Sequence, residues 1–105
     1  MSTESFKVQG QVFDWDKQKN LQNIKKHGIP FRTAALAFFD PSSTIISDKG
    51  HSQDEDRFIL VGFSEKHRLL TVCHCYRDDG QVVRIISARK ATKAEQDIYG
   101  GISYD

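Results

Sequence analysis

The chain has 105 residues, 38% of them hydrophobic and 28% charged, and a formal net charge of +1 at neutral pH. This size and composition exclude a disordered chain and fit one folded domain whose core closes without a disulfide or a metal ion. No stretch reaches the roughly 18–20 apolar residues of a membrane span, and the polar N-terminal residues lack the apolar core of a signal peptide. We therefore expect a cytoplasmic protein without a membrane partner.

The sequence of the first part of the chain predicts a leader, a short strand and two helices. Residues 1–10 are expected to be a flexible leader, and residues 11–16 can form a short strand. Asp16 is a suitable N-cap for a helix that ends at Gly28, because glycine readily adopts the left-handed backbone conformation at a helix C-terminus. Pro30 favours the start of a second helix, whose apolar residues recur with the helical period of 3.6.

The rest of the chain predicts strands and a final helix. Four apolar or β-branched runs follow one another, at residues 43–47, 57–64, 69–77 and 82–88. The last three are joined by connections of about four residues, which favours antiparallel hairpins. Thr92 and Glu95 have the spacing of a capping box and predict a short last helix.

The predicted fold class is therefore α+β, in a single domain of residues 11–105. It has two N-terminal helices, a four-stranded antiparallel sheet and one C-terminal helix.

The two cysteines and the histidine between them do not predict a disulfide or a metal site. The Cα atoms of Cys73 and Cys75, two residues apart in a strand, would be roughly 6.5–7 Å apart, at or beyond the limit for a disulfide. His74 would point to the opposite face from both thiols, so one ion could not bind all three side chains. No metal ion or cofactor is expected, and His74 is interpreted as a core histidine with satisfied hydrogen bonds.

Three arginines on two neighbouring strands leave a structural and a functional role open. Arg77 ends one predicted strand and Arg84 lies near the start of the next, so a hairpin would bring them together. Arg89 would lie nearer the start of the first of these strands. The three cations repel one another unless an anion or carboxylates lie between them. Carboxylates of residues 54–56 would make a structural network, whereas a bound phosphate would make a functional site.

Histidines offer further candidates for proton transfer. The segment from His51 to Arg57 holds a histidine, carboxylates and an arginine within seven residues. His27, at the end of the first predicted helix, is interpreted on its own as a residue that interacts with the helix dipole.

The order of these motifs resembles BrnT-type toxins of bacterial type II toxin–antitoxin systems. The resemblance runs from Phe13 to Tyr99, nearly the whole chain. It is carried by "W-D…N…KHG" (Trp15, Asp16, Asn23, Lys26, His27, Gly28), by "HS…E-x-R" (His51, Ser52, Glu55, Arg57) and by "RIISAR" (Arg84 to Arg89).

The resemblance implies a RelE-like microbial ribonuclease fold and metal-independent cleavage of RNA that arrests translation. It also implies a cognate BrnA-type antitoxin as partner. Operator DNA would then be bound only indirectly, through the antitoxin.

Such cleavage uses the ribose 2′-OH as nucleophile, and it needs a base, an acid and cations that stabilise the transition state. We expect Arg77 and Arg84, with Arg89, to stabilise the transition-state charge. Glu55 and His51 are the candidate bases, and the acid would be whichever histidine lies closest. The expected RNA-binding residues are Arg57, Ser87, Lys26 and His27.

Two hypotheses from other functional classes compete with the ribonuclease. A non-catalytic partner-binding or corepressor subunit would keep the fold but lose the arginine–carboxylate set, which this sequence retains. A nucleic-acid binder without chemistry would need a strongly basic surface, which a net charge of +1 does not favour.

Overall fold

The computed structural model describes residues 2–48, 56–64 and 68–101. The strands in these residues are β1 (Thr3–Val8), β2 (Gln11–Asp16), β3 (Thr44–Ser47), β4 (Phe58–Phe63), β5 (Leu69–Arg77) and β6 (Val82–Lys90). The α-helices are α1 (Lys17–His27), α2 (Phe31–Leu36) and α3 (Lys93–Gln96). Short 3-10 helices occur at Ala37–Phe39 and Tyr99–Gly101.

The strands form one mixed six-stranded sheet in the order β1-β2-β6-β5-β4-β3. Strands β2 and β6 run parallel, and all the other neighbouring pairs are antiparallel. The predicted fold class, a RelE-like arrangement of two N-terminal helices before a four-stranded antiparallel sheet, is therefore wrong. Two strands precede the helices, and one of them joins the C-terminal hairpin in parallel.

The first of these additional strands lies in the segment that was expected to be a flexible leader. Strand β1 alternates between exposed and half-buried residues, and Phe6 and Val8 pack against the hydrophobic core. A tight turn at Gln9 and Gly10, both with positive φ (51° and 84°), connects β1 to β2. Consecutive positive φ values are typical of the two-residue turns that match the twist of antiparallel strands. The segment was expected to be a leader because it is polar, although its residues alternate between exposed and half-buried positions as in a strand.

Helix α2 lies on one face of the sheet, where apolar side chains of both layers meet. Phe13 and Trp15 of β2 and Val83 and Ile85 of β6 are buried there against Phe31 of α2. Because side chains alternate along a strand, the opposite face receives Asp14 and Arg84. No helix in the described parts of the chain is long and apolar enough to cross a membrane.

The predicted ends of the helices are confirmed. The Asp16 carboxylate accepts a hydrogen bond from the backbone N–H of Lys19 (3.1 Å) and caps α1. Gly28 has a φ of 72° and ends this helix. Thr92 and Glu95 exchange both hydrogen bonds of a capping box at the start of α3.

Helix α1 is attached to the sheet by hydrogen bonds of a buried asparagine. Asn23 is 6% exposed, whereas the apolar Leu21 and Ile24 of the same helix are 50% and 37% exposed. The Asn23 side chain donates to the carbonyl oxygens of Ala88 (2.8 Å) and Ile29 (2.9 Å) and accepts from the N–H of Ala88 (3.1 Å). The last residue of β6 paired with β2 is Arg84. At Ala88, β2 no longer pairs with this edge of β6. The asparagine amide takes the place of a neighbouring strand there, because it hydrogen bonds to both backbone groups of Ala88.

The hairpin of β5 and β6 contains a register shift. Cys73 lies opposite Ser87, but the next residue, His74, lies opposite Ile85, so the pairing skips Ile86. Such a β-bulge displaces the alternation of side chains by one residue. It places Ser87 and Arg89 on the same face as Arg84, although the two arginines are five positions apart and a regular strand would place them on opposite faces.

Candidate active site

Cationic side chains from α1, β5, β6 and the start of β4 line one small cleft, the arginine cleft. Its volume is about 90 Å³. The charged residues that line it are Asp16, Lys19, Arg57, Arg77 and Arg84. Ile85 and Ile86 of β6 also line it. The fold thus brings together three of the arginines that the sequence identifies as candidates, and it adds a lysine.

Strand register explains why the arginines meet. Arg84 lies opposite Cys75 of β5, and Arg77 is two residues further along β5, so both guanidinium groups are on the same face of the sheet. Arg57 directly precedes Phe58, which lies opposite His74. Arg57 is therefore beside Cys75, on the other side of β5 from Arg84. The three arginines converge because antiparallel pairing aligns these strands within two residues of one another.

One of the three arginines is held by a carboxylate on the neighbouring strand. Asp14 of β2 pairs in parallel register with Arg84 of β6. The Arg84 Nε donates to Asp14 Oδ1 at 2.6 Å, and Nη2 donates to Oδ2 at 3.3 Å. Asp16, the other nearby carboxylate, caps α1. Because four cations and one carboxylate line the cleft, its charge is positive although the chain as a whole carries only +1. A positive concave site concentrates anions.

Arg89 lies at the other end of β6, in a different environment. It is opposite Thr71, four residues along β5 from Cys75, or roughly 13 Å at the rise of a strand. Its two terminal nitrogens donate to the two carboxylate oxygens of Glu95, at 2.8 and 2.9 Å. Glu95 also accepts from the Thr71 hydroxyl (2.7 Å). The hydrogen bond from Arg89 is the largest influence on the pKa of Glu95, which falls to about 2.

A second depression, the α1–β6 groove, continues from the arginine cleft. It has a volume of about 250 Å³ and shares Lys19 and Ile86 with the cleft. Its other lining residues are Gln22, Asn23, Lys26, His27 and Ser87. Three of the four expected RNA-binding residues, Lys26, His27 and Ser87, thus meet here, and the fourth, Arg57, lines the cleft. The groove and the cleft together form one basic channel along α1.

Comparison with known proteins identifies the family. The model of the family described as "Ribonuclease toxin, BrnT, of type II toxin-antitoxin system" matches residues 15–95. The chain belongs to the BrnT family. The resemblance found in the sequence is confirmed: this is a family of ribonuclease toxins, and its type II systems pair each toxin with an antitoxin.

A solved structure is similar in fold to this BrnT-family chain. The crystal structure of the ribonuclease toxin BrnT from Brucella abortus superposes with a TM-score of 0.57 and 21% sequence identity. The match covers 75% of this chain and 94% of that one. At this level of identity the similarity concerns the fold alone. Among curated proteins, no match is found.

Two candidate catalytic residues of this BrnT toxin, Glu55 and His51, lie outside the described residues. The same holds for Ser52 of the motif and for Asp54, which was expected, with Glu55 and Asp56, as a carboxylate partner of the arginines. Within the described part of the chain, Asp14 binds Arg84 and Glu95 binds Arg89.

The prediction that His74 is a core residue is confirmed. It is fully buried on the apolar face of the sheet, with Nδ1 3.1 Å from the carbonyl oxygen of Val72 and Nε2 3.2 Å from the hydroxyl of Tyr76. Burial lowers its pKa, which favours the neutral ring. Both cysteines are free thiols, and burial raises the pKa of Cys73, with a further increase caused by Asp48. The neutral ring of His74 therefore offers no cation to the cleft, and the raised pKa of Cys73 disfavours a nucleophilic thiolate there.

Two residues of this site were not predicted from the sequence. Lys19 lines the cleft and Asp14 binds Arg84, and neither was among the candidates from the sequence. The strand segment 11–16 carried a signal for Asp14, because alternation separates it from the aromatic Phe13 and Trp15. Its partner could not be foreseen, since Arg84 is 70 residues away.

Proposed function

We propose that this BrnT toxin is an endoribonuclease that cleaves RNA without a metal ion, by attack of a ribose 2′-OH on the adjacent phosphate. The observation that carries the proposal is the meeting of Arg57, Arg77 and Arg84 with Lys19 around one small cleft. Guanidinium groups bind phosphate oxygens through paired N–H donors, and several of them together can stabilise the additional negative charge of a phosphorane-like transition state.

The chemistry requires two proton transfers besides this charge stabilisation. A base removes the 2′-OH proton as the oxygen attacks phosphorus, and an acid protonates the 5′-oxygen as the P–O5′ bond breaks. Glu55 and His51 remain the proposed bases. His27 is the described histidine that lines the connected groove, and it is our candidate for the acid.

The α1–β6 groove supplies the proposed path for the RNA on one side of the scissile bond. Lys26 and His27 come from the last turn of α1, and Ser87 comes from β6. Lys19 lies between groove and cleft, where it can contact the phosphate next to the scissile one. The strand would then follow α1, with its backbone facing a row of cations.

Arg89 takes a structural role in this proposal. Its guanidinium is bound through two nitrogens by Glu95, and that carboxylate also binds Thr71 and the start of α3. A phosphate would have to displace a carboxylate that is also held by two other groups, the Thr71 hydroxyl and the Thr92 backbone N–H.

The biological consequence that we propose is arrest of translation in the cytoplasm, through loss of intact RNA. The proposed antitoxin is of the BrnA type, and operator DNA would be bound by the antitoxin rather than by this chain. Co-purification with the product of the neighbouring reading frame tests the partner. Growth arrest by the toxin alone, relieved when both are expressed, is the expected result.

A cleavage assay with purified toxin, single-stranded RNA and EDTA tests the activity. We expect products that end in a 2′,3′-cyclic phosphate, because the 2′-oxygen is the nucleophile. Intact RNA that migrates more slowly in a gel would contradict the enzyme and indicate a nucleic-acid binder. Intact RNA with unchanged migration, together with a stable antitoxin complex, would indicate a non-catalytic partner-binding subunit.

A further inference from the structure

We infer that Asp14 is a positioning residue for Arg84: it orients the guanidinium at the cleft and at the same time limits how tightly the toxin holds RNA. The inference rests on the proposed function, and it assigns to the site a carboxylate from outside the cleft lining.

The first reason is geometric. Asp14 and Arg84 are directly paired on adjacent parallel strands, so the sheet backbone fixes the distance between their Cα atoms. The carboxylate engages the inner edge of the guanidinium, Nε and Nη2. Nε is the nitrogen nearest the aliphatic chain, so a carboxylate bound there restricts the side chain's last rotations. Arg84 thereby enters the cleft in a defined orientation.

The second reason is that the ion pair adds little to the fold. It joins β2 to β6, and these strands are already joined by their own backbone pairing. The side chains of Arg84 and Asp14 are 28% and 19% exposed, in the range where solvent weakens the contribution of an ion pair to stability. We infer that this ion pair serves mainly to place the Arg84 guanidinium, because Arg57 and Arg77 line the same cleft.

The third reason is electrostatic. Asp14 places a negative charge next to a cluster of cations, so it weakens the attraction of the cleft for any phosphate. Replacement of the carboxylate by an amide should therefore have opposite effects on binding and on chemistry. RNA should bind more tightly, because a repelling charge is removed, while cleavage should slow, because Arg84 is no longer held in place. A purely structural role would instead weaken binding, rate and thermal stability together.

The experiment compares Asp14→Asn with wild type in the full-length toxin, by RNA cleavage kinetics and thermal unfolding. We expect kcat to fall about 10- to 100-fold, since misplacement of a reacting group by about 1 Å can cost 10²-fold. KM should stay equal or fall, and Tm should change little. Asp97→Asn is the matched control, because Asp97 is exposed at the end of α3 and its replacement changes the net charge equally. It should leave kcat unchanged.

A second variant, Asp14→Glu, keeps the charge and moves the carboxylate. It should lower kcat without tightening RNA binding, and it decides the question if Asp14→Asn does not fold. An unchanged kcat in Asp14→Asn would overturn the inference, as would a raised KM that accompanies a large loss of Tm. Arg84→Ala distinguishes this outcome from failure of the proposed function. Full cleavage by Arg84→Ala would contradict the arginine mechanism itself. An inactive Arg84→Ala together with an unaffected Asp14→Asn would contradict only the role of Asp14.

Discussion

The two ends of strand β6 each carry an arginine bound to a carboxylate, and the two pairs differ in what surrounds the carboxylate. Glu95 binds Arg89 but also Thr71 and the backbone of Thr92, so this pair fastens α3 to the sheet. Asp14 binds Arg84 across two strands that are already paired, next to a cleft lined by other cations. An arginine–carboxylate pair can thus either attach a helix to the sheet or orient a reactive group. The contacts of the carboxylate distinguish these roles better than those of the arginine.

The largest expected effect is on catalysis, at the Arg84 end. Replacement of Arg84 or Arg77 by Ala should slow RNA cleavage about 10²- to 10³-fold, the usual cost of one donor that stabilises transition-state charge. Each variant should relieve growth arrest in cells and keep a Tm close to that of wild type. Lys7→Ala, which removes an exposed cation from β1, is the control for net charge. Full toxicity in both arginine variants would remove the distinction between the two ends of β6.

The next effect is on stability, between the two ends. Asn23→Ala removes the amide that bonds Ala88 of β6 and Ile29, and it leaves buried backbone groups without these partners. We expect the free energy of unfolding to fall by about 2–4 kcal/mol, measured by urea denaturation. Gln22→Ala, on the adjacent and exposed side of α1, should cost less than about 0.5 kcal/mol. Equal losses in the two variants would show that this amide does not anchor the helix.

A smaller change is expected at the Arg89 end, and it should concern stability rather than rate. Arg89→Ala removes two hydrogen bonds to Glu95, and the arginine side chain is 39% exposed, so we expect a loss of about 2 kcal/mol. Cleavage per folded molecule should remain within about threefold of wild type. If Arg89→Ala is stable but as inactive as Arg84→Ala, both ends of the strand belong to the catalytic site.

The smallest effect is a pH dependence that Glu95 alone should produce. Its pKa is about 2 in the folded toxin, against an ordinary value of 4.5. A carboxylate with a lowered folded pKa stabilises fully above its unfolded pKa, and this contribution is lost as the pH falls from about 4.5 towards 2. Between pH 5 and pH 3 we expect this carboxylate to contribute a loss of about 1 kcal/mol in wild type, after allowance for the exposure of Arg89.

Denaturation of Glu95→Gln over the same pH range isolates this contribution. The variant should be less stable at pH 5 and should lose less stability on acidification. His74, whose pKa is lowered by burial, is replaced in neither protein, so its protonation on acidification affects both alike. Parallel pH curves for the two proteins would rule out the ion pair as the source.

Features that depend on neighbours along the chain could be predicted from the sequence. Asp16 and Gly28 mark the ends of α1 because caps act within a few residues, and Thr92 does the same for α3. The antiparallel hairpins followed from their short connections, and they placed Arg77 beside Arg84.

Features that depend on distant pairing could not be read in this way. The parallel contact of β2 with β6 joins Asp14 to Arg84 across 70 residues, and no local pattern specifies it. That contact also explains the missed carboxylate: among the described residues, Asp14 of β2 binds Arg84 and Glu95 of α3 binds Arg89, and neither belongs to the acidic segment in which partners were expected. The β-bulge at Ile86 could not be predicted either, since the residue types around it fit a regular strand.

The bulge at Ile86 is one extra residue in β6, because Ile85 and Ser87 lie opposite the consecutive residues His74 and Cys73. If the bulge were straightened with this residue kept, the downstream half of the strand would turn over, which would bury the guanidinium that now holds α3 and point Ala88 outward. Deletion of Ile86 should instead leave a regular strand in which Ser87, Ala88 and Arg89 keep their present faces, so descendants of this toxin can lose that residue as well as replace it.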